Sequence, residues 1–109
     1  MPTAYKVLGQ VTPSANTLTT AYTVPSSTSA VVSTIVVTNL GPTATTYRIA
    51  VRPDGESIAN KHYIAYDISV PTLDTLALTL GVTLDAADVI SVMSFSGLVN
   101  FSIFGSEIS

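Results

Sequence analysis

The sequence predicts an all-β protein, an antiparallel two-sheet β-sandwich of about eight strands that is jelly-roll-like or immunoglobulin-like. Two observations support this fold class. β-branched and aromatic residues alternate with Ser, Thr and Ala, and turns rich in Gly, Pro or Asp separate the alternating stretches. In addition, no stretch keeps a helical period over the roughly 10 residues that a helix needs. The clearest alternating stretches are residues 30–39, 45–52, 62–70, 89–95 and 98–104.

The first half of the chain divides into four predicted strands. Residues 4–11 and 17–24 form the first two, with a Pro-containing turn between them. The strand at residues 31–39 has apolar side chains on both faces, which predicts a central and well-covered position. The strand at residues 45–52 has distinct inward and outward faces. Its inward residues are Tyr47, Ile49 and Val51, and its outward residues are Arg48, Ala50 and Arg52.

The second half supplies the remaining strands. Residues 56–61 have no clear period and are predicted to form a loop or a single helical turn before a strand at residues 62–70. Alternating leucines at residues 76–80 mark a further strand, and residues 85–88 form a tight connection. The last two strands are predicted to pair as a hairpin around Ser96 and Gly97.

The length of 109 residues suits a single β-sandwich domain, and 47% of the residues are apolar, enough to build a core. We therefore predict one domain over residues 1–109. Residues 1–24 are open to a second interpretation, as an arm or edge hairpin that docks on a neighbouring subunit.

Charged residues make up only 10% of the chain, against roughly 25% in typical soluble domains. A surface with so little charge favours association. The basic residues are too few and too scattered for nucleic-acid binding. There is no Cys, no secretory signal and no apolar run of about 18 residues, so we expect a chain made in the cytoplasm, with no disulfide, thiolate site or membrane partner. The basic residues are Lys6, Arg48, Arg52 and Lys61.

Catalytic and metal-binding interpretations are weak. His62 is the single imidazole and forms a conceivable Ser-His-Asp set with Asp67, yet no Gly-x-Ser-x-Gly motif is present, and a hydrogen-bonded or surface histidine is favoured. Asp74, Asp85 and Asp88 have the oxygen ligands that a hard cation needs, but turn capping explains them better. We therefore predict no enzyme activity, no catalytic residue, no cofactor and no metal.

Six residues are candidates for binding a partner. Arg48 and Arg52 project from the same strand face about 13 Å apart, so they either clamp acidic groups on a partner or are solvated edge charges. Phe101 and Phe104 are three apart and face opposite sides of a strand, which places one of them on a subunit interface and predicts a homo-oligomer. Lys61 and Tyr63 complete the candidate set.

Much of the chain resembles a known kind of module. The segments at residues 38–67, 76–94 and 101–108 are similar to a small β-sandwich found in structural proteins of tailed bacteriophages, including those that infect cyanobacteria. The resemblance covers roughly the last three quarters of the chain, and its motifs are structural. It implies a virion component made in the host cytoplasm: a capsid decoration (cement) protein, often a trimer, that sits on the major capsid protein lattice.

Two other functions fit the sequence less well than a decoration protein. The alternative in the same setting is a tail, baseplate or fibre-associated module that binds a receptor or glycan. Such a module is expected to expose aromatic rings, whereas Trp is absent and Tyr63 and Tyr66, three apart, are predicted to point to opposite faces. An enzyme is disfavoured because the chain has no recognisable nucleophile, base or metal cluster.

Overall fold

The computed structural model describes residues 3–109, except for the side chain of residue 80, as eight β-strands in two four-stranded sheets. None of the helices in this described part has the length and apolar character of a membrane span. The strands are β1 (Thr3–Val11), β2 (Thr19–Thr23), β3 (Ser29–Asn39), β4 (Thr45–Arg52), β5 (Tyr63–Val70), β6 (Thr75–Leu84), β7 (Val89–Ser94) and β8 (Val99–Ile108), with 3-10 turns at Pro53–Gly55 and Asn60–His62 between β4 and β5.

The strand order identifies the sandwich as a jelly roll. One sheet has the order β1-β8-β3-β6 and the other the order β2-β7-β4-β5. Every pairing is antiparallel, and the first strand pairs with the last, the second with the seventh, the third with the sixth and the fourth with the fifth. This is the pattern of a long hairpin rolled into two sheets, as in jelly rolls. The prediction of an all-β sandwich is confirmed. Of the two predicted forms, jelly-roll-like and immunoglobulin-like, the structure has the jelly-roll topology.

The predicted hairpin between the last two strands is wrong. β7 pairs with β2 and β4, whereas β8 pairs with β1 and β3, so the turn through Ser96 and Gly97 crosses from one sheet to the other. Periodicity shows where strands lie but not which sheet they join, and a short Ser-Gly link suits both connections. β1 and β2 are likewise edge strands of different sheets. Residues 3–24 therefore form neither a free arm nor a hairpin.

The core lies between the inward faces of the two sheets, as alternation predicts. Ile35, Ile49 and Phe101 have no exposed surface, and all six residues of β7 are buried. The Tyr47 ring meets Phe101 edge-on, with centroids 5.9 Å apart and planes at 71°. The buried Tyr47 hydroxyl has no hydrogen-bond partner among the described residues, and burial raises the pKa of this side chain.

A polar network joins the two sheets near the end of β8. The Tyr22 hydroxyl of β2 donates to Glu107 Oε2 at 2.6 Å, and Lys6 Nζ of β1 donates to Glu107 Oε1 at 3.1 Å. These two donors lower the pKa of the Glu107 carboxyl, with the tyrosine hydroxyl as the larger cause. Glu107 thereby connects β1, β8 and β2.

Replacing Glu107 with Gln is expected to lower the free energy of unfolding at neutral pH by about 1 kcal/mol. This value is the usual contribution of a charge-assisted hydrogen bond, reduced because the carboxyl is partly exposed to solvent. The folded-state pKa is depressed, so the contribution of Glu107 is complete above its unfolded value of about 4.3 and disappears as the pH falls through the lower folded value. Denaturant titrations of wild type and variant between pH 3 and pH 7 check this prediction. A stability difference that stays constant below about pH 4 would contradict it.

Candidate functional site: an arginine enclosed by aromatic rings

Irregular pairing between β4 and β5 creates the site. Tyr47 faces Ile68 and Ile49 faces Ala65, so two residues of β5, Tyr66 and Asp67, lie opposite Arg48 alone. Asp67 has a left-handed backbone with φ of 54°, as expected for an Asp at a bulge. A second irregularity, between Ile49 and Ala50, places another extra residue in β5.

The second irregularity, in which Ile64 is the extra residue of β5, brings Tyr63 and Tyr66 to the same face. Their ring centroids are 5.0 Å apart with planes at 81°. The prediction that they point to opposite faces is wrong, because it assumed a strand with an uninterrupted period of two, and the one extra residue between the two tyrosines shifts that period by one.

Arg48 lies among three aromatic rings and one carboxylate. Its Nε donates to Asp67 Oδ1 at 2.6 Å and its Nη2 donates to Asp67 Oδ2 at 3.2 Å, a bidentate ion pair. The guanidinium carbon is 4.0 Å from the ring centroid of Tyr66, 5.3 Å from that of Phe95 and 5.9 Å from that of Tyr63. We call this cluster the Arg48 patch: Arg48, Tyr63, Tyr66, Asp67 and Phe95.

The Arg48 patch is exposed but held in place. Tyr66 is 53% exposed and Phe95 is 45% exposed, while the side chain of Arg48 is only 19% exposed beneath them. The hydrogen bonds from Arg48 lower the pKa of Asp67, and the carboxylate in turn raises the pKa of Arg48. The pair keeps opposite charges across the neutral pH range, so the patch as a whole is neutral.

Arg52 does not join Arg48 in a clamp. Its Nε donates to the Glu56 carbonyl at 2.7 Å, its Nη2 to the Gly55 carbonyl at 3.1 Å and its Nη1 to Ser91 Oγ at 3.1 Å. Arg52 thus holds the 3-10 turn that follows β4, and both guanidinium groups are occupied within the chain. The pair is therefore neither the joint clamp nor the set of solvated edge charges that the sequence suggested as alternatives. Lys61, with its side chain 74% exposed, lies 3.9 Å from Glu56.

His62 has a structural role. It ends a 3-10 turn instead of beginning β5, and it is buried. Its Nδ1 accepts a hydrogen bond from the Ala59 N–H at 3.0 Å, and its Nε2 lies 3.1 Å from Glu56 Oε1. Asp67 is paired with Arg48 instead. The interpretation as a hydrogen-bonded histidine is therefore confirmed, and the conceivable triad does not form.

The aspartates considered for a cation cap turns. Asp88 accepts hydrogen bonds from the N–H groups of Asp54 and Asp85, both at 2.8 Å, and Asp74 accepts one from the Thr75 N–H. The full length of β6 separates Asp74 from Asp85 and Asp88. No group of metal-ligating side chains was found in the described part of the chain.

Phe101 and Phe104 face opposite sides of β8, as predicted. Phe101 is completely buried in the core and cannot contact a partner, which corrects its place among the binding candidates. Phe104 lies on the outer face of the sheet, in a shallow groove of about 530 Å³ that also has Tyr5 and Val7 of β1 and Val31 of β3 in its lining. We call these four residues the Phe104 groove. Tyr5 is 87% exposed and Val7 is 47% exposed.

Comparison with known proteins identifies no match for the chain. No protein-family model matches it, and no curated protein matches it.

Proposed function

We propose that this protein is a non-enzymatic structural component of a tailed-bacteriophage virion, made in the host cytoplasm: a capsid decoration (cement) protein that binds the major capsid protein lattice and stabilises the head. The observation that carries the proposal is the Phe104 groove. Its large apolar side chains lie together on the outer face of a sheet, and few charges surround them. Exposed apolar patches of this kind mark surfaces that bind other proteins.

The occupant that we propose for the Phe104 groove is a second copy of the chain, in a homotrimer. β1 borders the groove and is the edge strand of its sheet, with backbone groups unpaired on one side. Its one charged residue, Lys6, is already paired with Glu107, so little charge opposes contact between copies. A trimer on a repeating lattice touches several subunits at once, and multivalency then strengthens weak individual contacts.

The test is a double variant, Tyr5→Ser with Phe104→Ser. We expect wild type to be trimeric by light scattering at micromolar concentration, and the double variant to be monomeric with an unchanged circular dichroism spectrum. Bound copies per particle should fall in parallel when each protein is added back to particles that lack it. Leu73→Ser is the matched control, because Leu73 is 76% exposed but lies outside the groove.

Two results would contradict this proposal. A monomeric wild type that also fails to bind the particle would remove the groove as an interface. A reconstruction of the intact particle with the chain in the tail would refute the decoration role even if the trimer forms.

A second candidate function is a tail, baseplate or fibre-associated module that binds a receptor. The Arg48 patch favours it, because exposed aromatic rings are the feature expected of such a module and two of them, Tyr66 and Phe95, are exposed here. The same particle reconstruction distinguishes the two locations.

A further inference from the structure

We propose that the Arg48 patch, together with Asn60, binds a neutral carbohydrate, with a pyranose ring stacked on the exposed aromatic side chains. The inference extends the second candidate function by naming its ligand class, and it applies equally to a protein on the head or on the tail. Asn60, Tyr63 and Tyr66 line a concavity of about 410 Å³ beside the patch. That volume falls within the roughly 300–1,000 Å³ of small-molecule sites.

The aromatic part of the patch suits the apolar face of a sugar. A pyranose ring presents several C–H groups on one face, and these pack against the electron-rich face of an aromatic ring. The Arg48 guanidinium carbon lies 4.0 Å from the ring centroid of Tyr66, and the Tyr63 ring packs against Tyr66 in a T-shaped arrangement with centroids 5.0 Å apart. Because these contacts already restrict the Tyr66 ring, little side-chain entropy is lost when a ligand binds.

The polar part of the patch suits sugar hydroxyls. Each oxygen of Asp67 accepts one hydrogen bond from Arg48 and retains a lone pair for another donor. The Asn60 side chain forms no hydrogen bond with another described residue, so its amide can donate and accept. The planar Asp67 carboxylate and Asn60 amide can each form hydrogen bonds with two adjacent hydroxyl groups of a sugar. Both groups lie at the border of the aromatic surface.

The charge of the patch disfavours strongly ionic ligands. Arg48 and Asp67 neutralise each other through two hydrogen bonds, and nearby Lys61 and His62 both lie close to Glu56. A phosphate or carboxylate would have to compete with Asp67 for the guanidinium, and a cation would have to compete with Arg48 for the carboxylate. A neutral ligand rich in hydroxyl groups does not have to displace either partner of the Arg48–Asp67 ion pair.

The experiment is an NMR titration of the isolated chain with the methyl glycosides of glucose, mannose and galactose, and with maltose and lactose. At least one of these probes should give saturation transfer from the protein to its ring protons and shift the amide signals of Tyr66, Phe95 and Asn60. Tyr66→Ala and Asn60→Ala should each weaken binding at least tenfold while the melting temperature stays close to that of wild type. The control is Leu73→Ala, which removes a more exposed apolar side chain outside both the Arg48 patch and the Phe104 groove and should leave binding unchanged.

Three outcomes would overturn the proposal. They are no response to any of the five probes, an equal response in wild type and Tyr66→Ala, and a loss of binding in Leu73→Ala as large as in Tyr66→Ala. If the sugars give no response but purified virion proteins shift the same amide signals, the patch is a protein-binding site instead. Because this titration uses the isolated chain, its failure is distinguishable from failure of the proposed location on the particle.

Discussion

Phe101→Ala is expected to lower the free energy of unfolding by about 3–5 kcal/mol, the usual cost of removing a buried aromatic ring. Phe101 has no exposed surface and meets the Tyr47 ring edge-on, so its removal leaves a cavity at the centre of the core. Since small domains are stable by only about 5–15 kcal/mol, the variant should be largely unfolded in moderate urea. Far-ultraviolet circular dichroism during urea titration measures the loss.

Phe104→Ala is the matched control for this prediction, because it removes the same side chain three residues away on the outer face of β8. Its unfolding free energy should change by less than about 1 kcal/mol, since Phe104 is only partly buried. Its effect should instead be on association. If Phe101→Ala proved as stable as Phe104→Ala, the core assignment of Phe101 would be wrong.

Gly105→Ala is expected to destabilise the protein by about 3 kcal/mol, at the upper end of the range for overpacking. Gly105 of β8 pairs with Val32 of β3, and an added Cβ would overlap the carbonyl oxygen of Val31. The obstacle is backbone, so no change of side-chain rotamer relieves it. β3 and β8 would have to separate at this point, with loss of the hydrogen bonds between them.

Gly81→Ala in β6 is the control for Gly105→Ala. The space around Gly81 is open, with nothing within 4 Å of an added Cβ, and the change should leave stability within about 0.5 kcal/mol of wild type. Thermal melts of both variants, followed by circular dichroism, check the pair. Equal melting temperatures would contradict the close approach of β3 and β8.

The features of the fold that depend on neighbouring residues, such as the positions of individual strands, were predictable from the sequence. β4 occupies the predicted residues, because both its alternation and its bounding turns are visible in the sequence. β8 extends to Ile108, beyond the predicted end at residue 104, since a strand between two partners continues for as long as both pair with it. The assignment of strands to sheets depends on contacts between residues far apart in sequence, which periodicity does not report.

The Arg48 patch was only partly predictable. Arg48 and Tyr63 were candidates, but Tyr66, Asp67 and Phe95 became part of the site through the bulges in β5 and the position of the turn after β7. The Tyr-Asp pair at residues 66–67 is a weak signal for a bulge, because Asp tolerates a left-handed backbone better than most residues. Nothing local indicates that Phe95 approaches Arg48, since they come from separate parts of the chain.

The position of β8 between β1 and β3 has a consequence for biosynthesis. Of the eight strands, β8 is the last to leave the ribosome, yet it is the only pairing partner of β1 and one of the two partners of β3. While residues 99–108 remain in the exit tunnel of the ribosome, β1 has no strand to pair with, and the apolar side chains of β3 stay accessible to solvent. Folding of this sheet must follow translation of the strands, and the interval before it closes is when the nascent chain most needs chaperone protection.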